Sequence, residues 1–406
     1  MAARGRPMTR SLPWWGRVLI VFALSRVVTT VIMLCFGEVQ AQETGALVPD
    51  YFTLAANWDG QWYWTIALNG YPAELPLDAA GHVTQNAWAF LPVYPMLLGV
   101  LARAGFGFPV VAVLFSLAAG AVAALLFERM LRGAGLPAGS ALFGVVLLCT
   151  MPLSPMFQVA YAESLGLALL FLALLLVQRR RFWSLLPVVV VMSLTRPAGL
   201  AFALFLLLYL ALRVWRWRRD ALAHPLPRRE FAGIAAAGLT SFAAGLAWPA
   251  IAWAVTGSPS AYLDTELAWR AGYLGYGHLV PFEAWFEGLA FWLRFAGAPE
   301  GAALPLAVVG VVVTTGLFGA FLLTPWGRRL GELRLWLVSY LVYLMAVFFP
   351  QSSTWRLLLP LSPALGALAV PRSRMLRVSL VALGIAGQVA WVYLCWIRLP
   401  GDWSPP

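Results

Sequence analysis

Residues 109–132 read PVVAVLFSLAAGAVAALLFERMLR. Between Pro109 and Phe127 no side chain is charged, and Ser116 is the only one with a polar group. An α-helix rises about 1.5 Å per residue, so a stretch of this length covers most of the ~30 Å hydrocarbon core of a bilayer. The run closes on Glu128, Arg129 and Arg132. Arginines directly after a long apolar run mark the cytoplasmic end of a membrane-spanning helix. The same pattern recurs along the chain. Apolar runs predict helices at about 15–36, 109–130, 138–152, 155–177, 182–194, 197–213, 231–255, 302–324, 335–350, 354–370 and 376–397.

The composition agrees. Of 406 residues, 61% are hydrophobic and 11% charged, against roughly 45–50% and 25% in a soluble domain. Mean hydropathy is +0.79. Polar surface of that extent could not cover so much apolar side chain in water. The expected fold is an all-α polytopic membrane protein, a single integral domain over residues 1–406 with about 11 transmembrane helices.

The net charge of +11 invites a nucleic-acid reading, but its distribution excludes one. The basic residues are all arginines and sit in short clusters between apolar runs: Arg4/Arg6/Arg10, Arg129/Arg132, Arg179–Arg181, Arg213/Arg216/Arg218/Arg219, Arg228/Arg229, Arg328/Arg329 and Arg372/Arg374/Arg377. With the N-terminus cytoplasmic, every cluster falls inside, provided residues 89–104 do not cross. That run, AFLPVYPMLLGVLARA, carries Pro92 and Pro95, each of which removes a backbone donor. It is read as a juxtamembrane or re-entrant helix. Two large outer segments follow from this topology, 37–108 and 256–301, both rich in the Trp and Tyr that favour the membrane interface. The basic head, apolar stretch and Val39-Gln40-Ala41 also resemble a signal peptide, but the run is long for one, and a retained first helix is expected.

Several polar residues do not fit the inner clusters. Arg196, in SLTRPAG, falls at the outer tip of a helical hairpin, and Arg356, in PQSSTWRLLLP, at the outer end of another helix. Both suit an anionic headgroup in an outer cavity, or lipid phosphates reached by snorkelling. Glu163 is expected about two turns into a helix entered from outside, flanked by Tyr161 and Ser164. A carboxylate there is costly unless paired or wet. In NWDGQWYWTIALNGYP, residues 57–72, helical spacing puts Asp59, Tyr63, Ile66 and Gly70 on one face, with Trp58, Trp62 and Trp64 as interface anchors. Asp59 either caps this helix or stands ready to take a proton from a hydroxyl. Asp50, Glu74 and Asp78 read as solvated loop acids. Asp264, Glu266 and Arg270 fit either acceptor contacts or a surface helix. His82, His224 and His278, and Cys35, Cys149 and Cys395, show no metal-ligand spacing.

The 57–72 segment resembles the WDxxxYxxIAxxGYP signature of the PIG-V-type mannosyltransferases. AFLPVYPMLLGVLARAG, which contains Tyr94, is similar to that family's aromatic-Pro-x-Tyr-Pro segment. SPMFQVAYAESLGLALLFLAL resembles its YxES helix, SLTRPAGL its arginine-bearing turn, and QSSTWRLLLPLSP the closing segment of bacterial relatives. The first four occur in the family's order across residues 57–200. The resemblance implies a glycosyltransferase of the GT-C class in a bacterial plasma membrane, with juxtamembrane helices in the first outer loop and an active site on the outer face. The donor would be a lipid-linked sugar, a polyprenyl-phosphate mannose. The acceptor would be a hydroxyl of a glycolipid, glycan or protein, and no cofactor is firmly implied. Asp59 would be the catalytic base, Arg356 and Arg196 would hold the donor phosphate, and Glu163, Tyr161, Trp58, Tyr63 and Tyr94 would shape the cavity. Many GT-C enzymes carry a second acid two residues from the first. Asp59 has none, so no metal ligand is assigned, and a role for a divalent ion stays open. The competing reading is a transporter or flippase of lipid-linked sugar, although the internal repeats expected of transporters are not evident.

Overall fold

The computed structural model describes residues 12–399, and the Arg4/Arg6/Arg10 cluster lies outside them. Regular structure among the described residues is helical, apart from one isolated antiparallel bridge between Leu77 and Val83. The chain opens with α1 (Trp14–Thr44) and three short helices, α2 (Tyr51–Ala55), α3 (Asp59–Asn69) and α4 (Val93–Ala102). Next come α5 (Phe108–Gly133), α6 (Ala138–Thr150), α7 (Glu163–Gln178), α8 (Phe182–Ser193), α9 (Gly199–Arg219) and α10 (Arg228–Thr256). After α11 (Ala261–Leu274) and α12 (Ala284–Phe295), the chain re-enters the bundle with α13 (Glu300–Leu323) and α14 (Pro325–Arg328). It finishes with α15 (Leu333–Val347), α16 (Thr354–Leu357), α17 (Leu365–Leu368) and α18 (Arg374–Trp391).

Among the described residues, six helices are long and apolar enough to cross a membrane: α1, α5, α9, α10, α13 and α18 with its continuation to Trp396. Much of their apolar surface is left uncovered by protein. Leu24, Val27 and Val31 on α1, and Val309, Val312 and Leu317 on α13, are all exposed. Uncovered apolar surface on this scale belongs against lipid. The chain is a multi-pass, all-helical membrane protein.

The arginine-bearing turns gather at one end of the bundle. There the Arg129 guanidinium carbon lies 3.6 Å from the Trp14 ring centroid. Arg213 and Arg180 reach Glu230 at 2.9 and 3.5 Å, and Arg216 pairs with Glu332 at 2.7 Å. These arginines are therefore more than orientation signals, because they tie successive helices together.

At the opposite end the chain departs from the regular helices expected of it. The 155–177 run is not one helix. Its α6 neighbour stops at Thr150, residues 154–158 form a 3₁₀ turn, and α7 begins only at Glu163. Pro152 and Pro155 supply no N–H, and a proline ring clashes with the carbonyl four residues back. Glu163 is consequently the first residue of α7 rather than a residue two turns inside a helix.

Non-helical backbone within a membrane protein must find its hydrogen bonds in the protein itself, and here it does. Arg26, buried in α1, donates to Ser154 O at 2.6 Å and Cys149 O at 3.2 Å, and also to Ser154 Oγ. Gln388 donates to Thr150 O at 3.0 Å, and Tyr51 to Gln158 O at 3.0 Å. The Ala160 amide donates to Ala55 O at 2.9 Å. No acid among the described residues pairs with Arg26, whose guanidinium lies near the Phe22 and Phe157 rings, 5.2 and 5.6 Å from their centroids. The 354–370 run is broken in the same way, into α16, a 3₁₀ turn over Leu359–Ala364, and α17. Tyr340 and Trp336 cap the freed carbonyls of Leu357 and Pro360, both at 2.8 Å.

The first outer segment folds as short helices against the bundle. In the 89–104 run only ten residues are helical, about 15 Å at the helical rise and too short to cross. Val39–Ala41 lie within the unbroken α1. Asp50 and Asp78 are not simply solvated. Asp50 caps α2, accepting from the Thr53 hydroxyl at 2.6 Å and from the Thr53 and Phe52 amides. These bonds hold its carboxyl below the usual range. Asp78 accepts from the His82 and Ala80 amides, which lowers its carboxyl likewise. The His82 ring stacks on Tyr276, centroids 4.1 Å apart, and so joins the two outer segments.

Replacing Arg26 by leucine takes the guanidinium donor from Ser154 O, while Cys149 O keeps its bond from the Ser154 hydroxyl. At about 1–3 kcal/mol for a buried group left unsatisfied, Arg26→Leu should lower stability by that amount. Thermal unfolding in detergent should show this, with Arg26→Lys recovering part of the loss.

Candidate functional site

Four charged side chains that stand far apart in sequence meet at the end of the bundle opposite the arginine-rich turns. Asp59 opens α3, Glu163 opens α7, Arg196 lies in the turn between α8 and α9, and Arg356 lies in α16. Arg356 Nη1 pairs with Asp59 Oδ2. Arg356 Nε lies 3.3 Å from Glu163 Oε1, and Arg196 Nη2 lies 3.2 Å from the same oxygen. Two arginines and two carboxylates thus form one chain, Asp59–Arg356–Glu163–Arg196. Both acids sit at helix N-termini, where the unpaired amides favour negative charge.

The network is buried but incompletely bonded. Glu163 is 3% exposed and Arg356 9%, yet neither Glu163 oxygen nor Arg356 Nε is in hydrogen-bond geometry with any partner. The Glu163 contacts have ion-pair distances without hydrogen-bond alignment. Buried charges with unused bonding capacity are costly to a fold, and they can take up a polar ligand without further loss.

Local structure explains how each charge is held. Trp58, just before Asp59, has φ +55°, ψ −119°, a region bulky residues rarely enter. Its indole donates to Trp396 O at 2.6 Å, and the Arg398 guanidinium packs over its ring. The strained turn aims Asp59 inward as α3 starts. Tyr161 supports two members at once: its hydroxyl accepts from the Asp59 amide at 3.0 Å, and its ring lies under Arg356, 5.1 Å from centroid to guanidinium carbon. On α7, Gly166 leaves room for Arg196, since a Cβ there would fall 2.9 Å from Arg196 Cγ.

Two cavities meet at this network. The more polar one is lined by Asp59, Tyr63, Arg196, Glu266, Arg270 and Arg356, among others. The more apolar one has Glu163, Arg196 and Arg356 at its head, and its remaining wall is largely apolar, including Leu167, Leu170, Met192 and Leu359. Arg196, Pro197, Phe348, Arg356 and Leu357 belong to both walls.

The residues singled out from sequence divide accordingly. Asp59, Tyr63, Glu163, Arg196 and Arg356 line the cavities. Tyr161, Tyr94 and Trp58 stand behind them. Tyr94 is fully buried against Tyr63 and Ser116, and Trp58 faces Trp396 rather than acting as an outward anchor. Trp62 and Trp64 stack on Phe90 and Phe108. Asp59, Tyr63 and Ile66 share the buried face of α3, and Gly70, with φ +73°, ends the helix. Glu266 and Arg270 lie on α11 and line the polar cavity. Burial pushes the Glu266 carboxyl above its usual range. Arg26 was missed, and a lone arginine within a long apolar run was the signal for it. Among the described residues no three His, Cys, Asp or Glu side chains group as metal ligands.

No family model matches the chain, and no curated protein is significantly similar to it.

Removing Arg356 strands the Asp59 carboxylate, whereas Glu163 keeps Arg196. Breaking a buried pair on one side costs about 3–5 kcal/mol. Arg356→Met should therefore destabilise by that order in thermal unfolding, and adding Asp59→Asn to the same chain should recover most of the loss.

Proposed function

We propose that this protein is a membrane glycosyltransferase of the GT-C class, moving mannose from a polyprenyl-phosphate donor to a hydroxyl acceptor. The observation that carries the reading is the position of Arg196 and Arg356 on the wall shared by a polar and an apolar cavity. A polyprenyl-phosphate sugar has the matching parts in the same order: an apolar chain, one phosphate and a polar ring. The resemblance of five segments to the PIG-V-type family supports the sugar and the donor.

In this mechanism the phosphate binds between Arg196 and Arg356, which are preorganised cations well matched to a phosphodiester. The phosphate draws Arg356 away from Asp59, and the Asp59 carboxylate becomes available as a base. An acceptor hydroxyl oxygen attacks the anomeric carbon, and the bond from that carbon to the phosphate oxygen breaks. The electron pair leaves on the phosphate, where the two arginines stabilise it, and the hydroxyl proton passes to Asp59. Direct displacement inverts the anomeric centre, so a β-linked donor yields an α-linked product. Glu163 holds the arginines in place when no donor is bound.

The membrane setting belongs to the same proposal. Six long helices and five shorter passages give eleven crossings, with the N-terminus and arginine-rich turns on the cytoplasmic side. Asp59 and its cavity then face the outer side of a bacterial plasma membrane. The acceptor is a glycolipid, a glycan or a protein.

A deletion strain should accumulate an acceptor one hexose short, identified by mass spectrometry of envelope glycolipids and glycoproteins. The wild-type gene should restore it. Asp59→Asn, expressed at the same level, should not, because loss of a general base lowers rates by about 10²–10⁴-fold. Near-normal transfer by Asp59→Asn would remove Asp59 as base. Lipid-linked sugar crossing liposomes that contain the protein, with no transfer to any acceptor, would favour the flippase reading.

A further inference from the structure

The polar cavity has a second wall that the mechanism above leaves without a task. It is formed by α11, whose residues Glu266, Trp269 and Arg270 all line the cleft. Phe90 and Trp269 border the same space, and with Trp62 they form a tight aromatic group. Trp62 stacks on Phe90 at 5.7 Å, and Trp269 meets Trp62 and Phe90 edge-on at 5.7 and 5.8 Å. The Trp269 indole N–H is buried and bonds to no protein acceptor.

Glu266 is placed by its own helix and by neighbouring ones. It stands one turn from Arg270 on α11 and lines the same cleft as Arg196. Arg270 is in turn anchored to Val347 O at the end of α15, so α11 is held at a set position over the cavity. Burial, opposed by Arg270, raises the Glu266 carboxyl above the usual range. This is the behaviour of a carboxylate kept away from bulk water.

A carboxylate with free lone pairs, an unused N–H donor and aromatic faces are the groups that suit a neutral pyranose. Its hydroxyls donate to the acid, a ring or hydroxyl oxygen accepts from the indole, and its C–H faces pack on the negative faces of aromatic rings. Glu266 is balanced by Arg270 one turn along, so this part of the wall carries no net charge and suits a neutral ligand. We propose that α11 forms the recognition subsite for the hexose being transferred, with Glu266 accepting from its hydroxyls and Trp269 and Phe90 supporting its ring. The proposal rests on the glycosyltransferase reading. Phosphate held by Arg196 and Arg356 places the sugar one bond away, in the cavity that Glu266 shares with them. Glu266 acts in recognition, whereas Asp59 acts on the proton.

The test uses the full chain in nanodiscs, titrated with polyprenyl phosphate and with its β-mannosyl phosphodiester. Glu266→Gln and Trp269→Phe should each weaken the mannosyl lipid at least tenfold while leaving polyprenyl phosphate within about twofold. Arg196→Ala should weaken both lipids. Glu266→Asp replaces Glu266→Gln if the latter fails to give folded protein. Equal losses for the two lipids, or none, would overturn the subsite. If wild type binds neither lipid, the transferase reading fails, and saturation-transfer NMR with methyl α-mannoside tests α11 by itself. A signal from wild type that Trp269→Phe and Glu266→Gln remove would keep the subsite, and no signal from wild type would overturn it.

Discussion

Within a bilayer a backbone carbonyl or amide that leaves a helix has no water to turn to. That constraint governs the functional end of this protein. The chain breaks helical geometry between Thr150 and Glu163, and the break is tolerated because Arg26, Gln388, Tyr51 and Ala55 meet its exposed groups. The break turns Tyr161 under Arg356 and lets α7 begin at Glu163. A continuous helix through this region would carry the acid along a helix flank instead of at a helix start. The second break, around Arg356, follows the same rule, with Tyr340 and Trp336 as the donors.

The charge network depends on those breaks. Two arginines and two carboxylates balance one another, so the site holds four charges without a net charge. On the proposed reading a donor phosphodiester adds one negative charge, and transfer of the sugar moves charge from Asp59 to the leaving phosphate without changing the total, which returns to zero only when the lipid phosphate and the proton depart. The poor alignment at Glu163 fits this exchange, because a network already fully bonded would resist rearrangement. Of the two cavities, one is walled largely by apolar side chains and the other lies against α11.

Much of this was legible before the fold. The spacing of apolar runs and arginines gave the helical, multi-pass architecture and separated the basic turns from Arg196 and Arg356. The cost of charge within a membrane was enough to mark Glu163. Other features could not be read. Tyr94, Tyr161 and Trp58 looked like cavity residues because aromatic residues near an acid serve equally well as lining or as support. Whether Glu266 met the site depended on how α11 lies over the bundle, and local spacing does not carry that. Arg26 went unread because a single arginine barely lowers the hydropathy of a long run.

The sequence by itself determined that the chain lies in lipid, which turns are basic, and which few charges stand apart from them, because transfer energies and charge act on each residue locally. The tertiary structure alone decided that Asp59, Glu163, Arg196 and Arg356, spread over almost three hundred residues, share one network between two cavities. Such a meeting depends on where helices break and how they pack. Those breaks hold only when side chains distant in sequence arrive to bond the carbonyls they free.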